Sequence, residues 1–330
     1  MVAPEQAVST LNMLVEELHK RQVEVTTLDD AYRGLFKLKY ASTDFMDFFA
    51  NRYERFSDNW CAIVADAPHE RLEPVGIRLK GEQSGDDALW TAWLDNDADQ
   101  LCDLAMLDAI IAKRSFALVW GTPDDEPRIT WEHPSQCIVG YDPETRLRKA
   151  GVKLWADDTH EYATLYLPDE IWKFQRSKVK SRLELPRHLV EGDWALRDEE
   201  RIDNPLGKVP LVELANRPRL VGEPLSDIAG TMAMQHAINL IWAQLFVAID
   251  SGSWPQRVIY GAEMPTVPIL DQNGQEVGER PIDLKKFAQD KAIWLEDPNV
   301  KIDQWSATNL KAYTDIIEIA VGHIDRKSVV

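Results

Sequence analysis

The sequence lacks the short signatures with which most enzymes hold a phosphate, a dinucleotide or a catalytic metal. It contains no Gly-x-x-x-x-Gly-Lys-Ser/Thr loop, no Gly-x-Gly-x-x-Gly, no His-Glu-x-x-His and no Gly-x-Ser-x-Gly. Cysteine is scarce, with Cys61, Cys102 and Cys137 the only three in 330 residues. They are odd in number and too far apart for a Cys-x-x-Cys clip, so they read as reduced, buried thiols of a protein assembled in a cytoplasm. Basic residues are in deficit, 37 against 55 acidic, which leaves a formal charge of -18. Tight DNA binding draws on Lys and Arg that displace counterions from phosphates, and a surface this acidic does not supply them. The first residues, Met1-Val2-Ala3-Pro4-Glu5-Gln6, have neither the basic start nor the apolar run of a secretory signal, and no export is expected.

What is present describes a folded globular chain. Hydrophobic residues make up 45% and charged residues 28%, which argues against disorder, and the length suits two or more units. Leu11, Leu14, Val15 and Leu18 recur at helical spacing, giving an amphipathic first helix. A second helix is predicted over 51–64 through Tyr53, Phe56, Trp60 and Ile63, after which Pro68 and Pro74 break the chain and a short strand follows at 75–79. Two more helices follow at 86–94 and 97–113, the latter with Leu101, Leu104, Ala105, Asp108 and Ile111 on one side.

From Ser115 the texture changes to short strands divided by turns: 116–120, 128–131, 136–141, 149–155, 161–167 and 170–174. Their linkers are too short for crossover helices, so an antiparallel meander is expected. The fold class is therefore α+β, with helices packed on an antiparallel meander.

The stretch 204–261 is the most distinctive. It runs Asn204-Pro205-Leu206-Gly207-Lys208-Val209-Pro210-Leu211-Val212-Glu213-Leu214-Ala215-Asn216-Arg217, then Gly222-Glu223-Pro224-Leu225-Ser226-Asp227. It closes on Trp254-Pro255-Gln256-Arg257-Val258-Ile259-Tyr260-Gly261. Between them, 228–249 carries no formal charge. A bilayer span needs about 20 apolar residues, yet Thr231, Gln235, His236, Asn239 and Gln244 interrupt this one, and a buried or interfacial helix suits it better. With Pro224 at its start, such a helix over 223–250 would be ~42 Å long. Its second half is apolar nearly all round and needs either a large core or neighbouring subunits. Beyond it come a strand at 256–260, a hairpin over 267–277 turning at Asn273-Gly274, a short helix at 283–289, strands at 292–295 and 300–305, and a final helix marked by Leu310, Tyr313, Ile317, Ala320 and Ile324.

Other candidates weigh less. The seven histidines are scattered, with no second His or Cys at helical ligand spacing, and no metal or cofactor is expected. Asp124-Asp125, Asp157-Asp158 and Glu199-Glu200 sit in turns, where solubilising loops are the plain reading. The 12 Trp residues lie largely on apolar faces and suit core packing over stacking on nucleic acid. The basic cluster from Lys173 to Arg182 reads as a strand edge guarded by charge.

The order of these elements resembles the portal proteins of long-tailed, siphovirus-type bacteriophages and prophages. A Val-Pro-hydrophobic-Asn strand precedes a Gly-x-Pro-x-Ser-Asp helix start and a Pro-x-Arg-x-x-x-Gly return, and Tyr32-Arg33-Gly34, Asn59-Trp60 and the 97–121 block stand in matching order. The resemblance implies a wing domain at 1–222, a first stem helix at 223–250, a small α/β clip domain at 251–308 and the start of a second stem helix at 309–330. Tunnel and crown parts would follow in such a protein and are absent here, so a truncated chain or disrupted prophage gene is expected. It further implies a homo-oligomeric ring, usually of twelve copies, at the capsid vertex of a virion assembled in the bacterial cytoplasm. Large terminase, neck or head-completion proteins, scaffold and major capsid protein would be partners, and double-stranded DNA would pass without tight binding during packaging and ejection. No catalysis and no membrane are implied. On the first stem helix, Ile238, Ile241, Trp242, Leu245 and Phe246 are the candidate subunit-interface residues. The other readings of the sequence are an acidic cytoplasmic enzyme with an unrecognised site and a membrane-anchored assembly protein.

Overall fold

Alternation of apolar side chains on both faces of a strand requires a cover on both faces, and that requirement organises the larger part of this protein. The computed structural model describes residues 2–39, 57–122, 126–178, 193–197, 201–253, 257–260, 266–270, 275–281, 292–295 and 309–328. They fall into two units, the first within Met1–Lys37, Ser57–Gln235 and Ile324–Val330, the second within Leu38–Phe56 and His236–His323.

In the first unit, helices α1 (Pro4–Tyr32), α2 (Trp60–His69), α3 (Asp87–Asp95) and α4 (Ala98–Ala112) precede strands β1 (Arg114–Gly121), β2 (Pro127–Glu132), β3 (Cys137–Tyr141), β4 (Arg148–Ala156), β5 (His160–Tyr166), β6 (Glu170–Ser177), β7 (Ala195–Leu196), β8 (Ile202–Asp203) and β9 (Leu211–Ala215). β3 to β6 form the expected antiparallel meander, extended by β7 and β8, which both pair with β6. β1 and β2 do not join it. They make a separate three-stranded sheet in the order β2-β1-β9, with Phe116 opposite Glu132 on one side and Glu213 on the other. A partner nearly a hundred residues downstream is invisible to local pattern reading.

Period-two alternation then sorts the core. Ile138, Val152, Ala163, Leu165, Trp172 and Phe174 face α1, whose Leu11, Leu14, Val15 and Leu18 are buried among them. Cys137, Val139, Tyr166 and Ile171 face the other way, onto Phe116, Val209 and Leu211. Glycines let both layers come close. A Cβ on Gly140 would stand 3.1 Å from Leu14, and one on Gly151 would stand 3.0 Å from Val209 and 3.3 Å from Leu211. α4 packs on the three-stranded sheet.

Several expectations are corrected. α2 begins at Trp60, capped by Asn59, whose side chain accepts from the Ala62 amide, and Pro68 sits inside the helix instead of breaking it. Residues 51–56 lie outside the described residues. The segment 75–79 is not a strand, and Val75 stands 89% exposed. Of the face expected on α4, Ala105 and Ile111 are buried, together with Ala98, Cys102, Ala109, Ile110 and Ala112, while Leu101 and Leu104 are 39% and 60% exposed and Asp108 is half-buried. Small side chains make up most of the buried face, and the leucines lie off it. Lys173 and Arg176 do not line an edge, because β6 is flanked by β5 on one side and by β7 and β8 on the other. Arg176 pairs with Glu161 and lies over the Trp194 ring. Residues 179–182 lie outside the described residues.

Helix α5 (Met232–Ser253) carries the chain from the first unit into the second. There β10 (Arg257–Tyr260) pairs in parallel with β13 (Ala292–Leu295), and β11 (Thr266–Leu270) with β12 (Glu276–Pro281) as an antiparallel hairpin. The final helix α6 (Leu310–Ser328) buries Ile317, Ala320 and Ile324 of the expected face, while Tyr313 is half-buried and Leu310 40% exposed. The hairpin turn at Asn273-Gly274, the 283–289 helix and the 300–305 strand lie outside the described residues.

Two tests follow from this packing. Phe174 is fully buried between α1 and the meander, so Phe174→Ala costs about 3–5 kcal/mol through lost transfer energy and a cavity, read as a lowered denaturant midpoint for the first unit. All three thiols are buried. Burial pushes each thiol up, Cys102 to about 11, and the thiolate is the reactive form. An aromatic disulfide reagent at pH 8 therefore titrates none in the folded protein and three after denaturation.

Candidate assembly surface

Asn204 opens the distinctive stretch by closing a turn. Its side-chain amide donates to the Leu167 and Lys208 carbonyls, both at 2.8 Å, and its oxygen accepts from the Leu206 amide at 3.1 Å. Gly207 takes the left-handed conformation this turn needs, φ +60. The chain then enters β9, where Leu211 is buried and Val212 exposed.

At the end of β9 the structure departs from the helix expected over 223–250. Residues 216–231 form loops and turns, and helix α5 starts at Met232. The reason is a side-chain clamp. Asn216 donates to the Leu225 carbonyl at 2.9 Å and to Asp227 Oδ1 at 3.1 Å, while its own carbonyl accepts from the Leu225 amide at 3.2 Å. Asp227 also accepts from Arg217 at 3.3 Å, and its amide donates to the Ile110 carbonyl at 3.1 Å. The Asn of the strand motif and the Asp of the helix-start motif are thus partners across an eleven-residue loop. Asx side chains compete with helix formation where they bind nearby backbone, and here they defer it.

Glu223 fastens the loop a second time. It pairs with Arg114, and with Arg21 at 3.8 Å. Arg114 is itself 7% exposed and reaches Glu213 at 3.1 Å, whose other oxygen accepts from the Tyr141 hydroxyl at 2.9 Å. Burial lowers the Arg114 pKa, opposed by the Glu213 carboxylate, and the same burial and carboxylate hold the Tyr141 hydroxyl protonated well above its usual range. A cavity of about 280 Å³ lies beside this cluster, lined by Lys20, Lys113, Glu17 and Glu24 among others. Its charges pair with their neighbours, Lys113 with Glu24 and Arg21 with Glu17, both at 2.6 Å.

Helix α5 is bolted at its first turn. Gln235 is fully buried; its oxygen accepts from the Trp60 amide at 2.8 Å and its nitrogen donates to the Asp58 carbonyl. Thr231 donates to the Ile228 carbonyl at 2.7 Å and lies 3.6 Å from Cys61 Sγ. The sequence-predicted interface residues then divide. Ile238 and Leu245, two turns apart, are buried within the single chain, with Asn239 and Ala243. Ile241, Trp242 and Phe246 are half-buried, and the rings of Trp242 and Phe246 stack at 5.7 Å. The segment Met232–Ile249 is long and apolar enough to cross a membrane, with a mean hydropathy of 1.4. Sequence reasoning missed Asn216, Asp227 and Glu223 as partners; the Asn and Ser-Asp flanking a loop were the available signal.

Asp157 shows what the paired carboxylates do. Its Oδ1 accepts from the amides of Thr159 and His160, both at 2.7 Å, and these bonds draw its pKa far down. It closes a turn. Among the described residues no three of His, Cys, Asp or Glu converge as metal ligands. Asp124-Asp125 and Glu199-Glu200 lie outside them.

The clamp is testable directly. Asn216→Ala removes both side-chain hydrogen bonds and leaves Asp227 without one donor, a loss of about 1–3 kcal/mol, seen as faster amide hydrogen exchange at Leu225 with the meander's protection unchanged.

No curated protein matches the chain. A family model described as phage portal protein, SPP1 Gp6-like, matches residues 16–322, from the middle of α1 into α6. With that coverage, the protein belongs to the phage portal family and is a structural component of the capsid vertex.

Proposed function

We propose that copies of this chain assemble into a ring that conducts double-stranded DNA into and out of the capsid and docks the large terminase, then the neck proteins, at the vertex. The observation that carries this reading is helix α5. Gln235 fixes its first turn in the first unit, and beyond that turn Ile241, Trp242 and Phe246 remain half-buried, with Ile249 39% exposed. An apolar helix left partly uncovered in one chain is covered by neighbouring copies in a ring. Twelve copies, the scaffold and the major capsid protein complete the assembly by family resemblance. The charge of -18 suits a conduit, because a basic wall would hold the phosphates it must let pass. Ile238 and Leu245 serve the helix's own packing, and the interface role falls to Ile241, Trp242 and Phe246.

The membrane-anchored reading draws on the same helix, since Met232–Ile249 passes the length and composition test. Gln235 and Asn239 are buried in protein within it, which favours a protein environment. Recovery in a membrane pellet that resists high salt would support the anchor.

The double variant Trp242→Glu/Phe246→Glu is expected to elute as a folded monomer with unchanged circular dichroism, whereas the unsubstituted chain elutes as a ring. Unchanged ring formation by the variant would remove these residues from the interface.

A further inference from the structure

The loop between Asn216 and Glu223 presents an apolar tip on a fixed neck. Leu220 and Val221 are each 84% exposed, far beyond what single surface apolar residues need explaining. The neck is tied by the Asn216–Leu225 and Asn216–Asp227 hydrogen bonds and by the Glu223 pairing with Arg114. Arg217 and Gly222 bracket the tip, both in the left-handed region at φ +46 and +94. A non-glycine residue held there stores strain that the surroundings must impose. A loop tied at its neck that holds two aliphatic side chains in water is shaped for a partner. Its only charged residues between the two anchors are Arg217 and Arg219.

The same chain carries the complementary face. Leu101 and Leu104, 39% and 60% exposed, stand out from α4, whose Ala98, Cys102, Ala105 and Ala109 are buried. Leu94, at 44%, precedes them on α3. Residues 81–112 contain eight acidic side chains and no Lys or Arg, so this leucine stripe is rimmed by negative charge, with Asp97 and Asp99 exposed beside it. Arg217 is taken up by Asp227, which leaves Arg219 as the basic charge at the apolar tip, and a tip with an arginine matches a stripe rimmed by aspartates in both hydrophobicity and charge.

Within one chain the two patches are not joined. The loop's foot is bonded to the far end of α4, through the Asp227 amide to Ile110 and the Asn216 amide to Lys113, while Leu104 and Leu101 lie about 9 and 14 Å back along the helix at 1.5 Å per residue. Both surfaces stay exposed. We infer that Leu220 and Val221 of one copy dock on the Leu101–Leu104 stripe of the next, a heterologous contact made by two different patches of the same chain. Contacts of that kind repeat in one direction and close into a ring when the rotation between copies closes. The inference deepens the ring reading and rests on it, and it adds a second contact to the one on helix α5.

The test is site-directed cross-linking in the full chain. The three native thiols are buried and stay out of the chemistry. Copies carrying Leu220→Cys and copies carrying Leu104→Cys are co-expressed with different tags and treated with a short bismaleimide. The expected product is a cross-linked dimer holding one of each tag, absent when either variant is expressed alone and reduced several-fold by Arg219→Glu. No mixed dimer, or a dimer from Leu220→Cys copies alone, overturns the inference. Sedimentation of the unsubstituted chain separates the two ideas: a ring-sized particle without the mixed dimer sinks this contact and keeps the ring, and a 37.6 kDa monomer without it sinks both.

Discussion

The hydrogen bonds from Asn216 to Leu225 and Asp227 are the constraint on which the assembly surfaces depend. They hold the exit of β9 against the approach to α5, and Asp227 in turn is tied to the end of α4. Three features meet at that residue. The helix start is deferred to Met232, the 217–222 loop is closed at its neck, and the three-stranded sheet is joined to the helix that leaves the unit. An amide suits the position because it donates twice while its backbone also bonds, which neither a carboxylate nor an aliphatic side chain does.

Around that clamp the first unit is built in layers, α1 on the meander, the meander on the three-stranded sheet, and that sheet under α4. Close approach is obtained by removing side chains: Gly140 beneath Leu14, Gly151 beneath Val209 and Leu211, and the Ala and Cys stripe of α4. The consequence at the surface is that α4 turns its leucines outward. A structural solution in the interior thereby creates an apolar stripe outside, and a ring subunit has a use for one. A partly uncovered apolar helix is consistent with a family whose members work as structural parts of the capsid vertex.

Much of this was readable from residues alone. Each meander strand lay between turn signals, such as Asp142-Pro143 and Pro168-Asp169, and the observed strands agree to within three residues at their ends. α1 and α6 were legible because their apolar positions share one face. The failures have a common cause. β1 with β9, and Asn216 with Asp227, are pairings chosen by tertiary geometry, and local periodicity carries no record of them. α4 misled because hydrophobicity ranks Leu above Ala, whereas the packing there rewarded small size. Pro224 suggested a helix start on propensity, and the clamp overrode it. Of the five residues proposed for the interface, the pattern grouped all of them on one helical face but could not tell Ile238 and Leu245, covered within the chain, from Ile241, Trp242 and Phe246, which are less so.

The central claim is that these surfaces are complete only between copies. Negative-stain electron microscopy of the purified, unsubstituted chain tests it most directly. The account predicts uniform annular particles with a stain-filled central hole. A field of separate particles of the size of one 37.6 kDa chain, unchanged as protein concentration is raised, would contradict it.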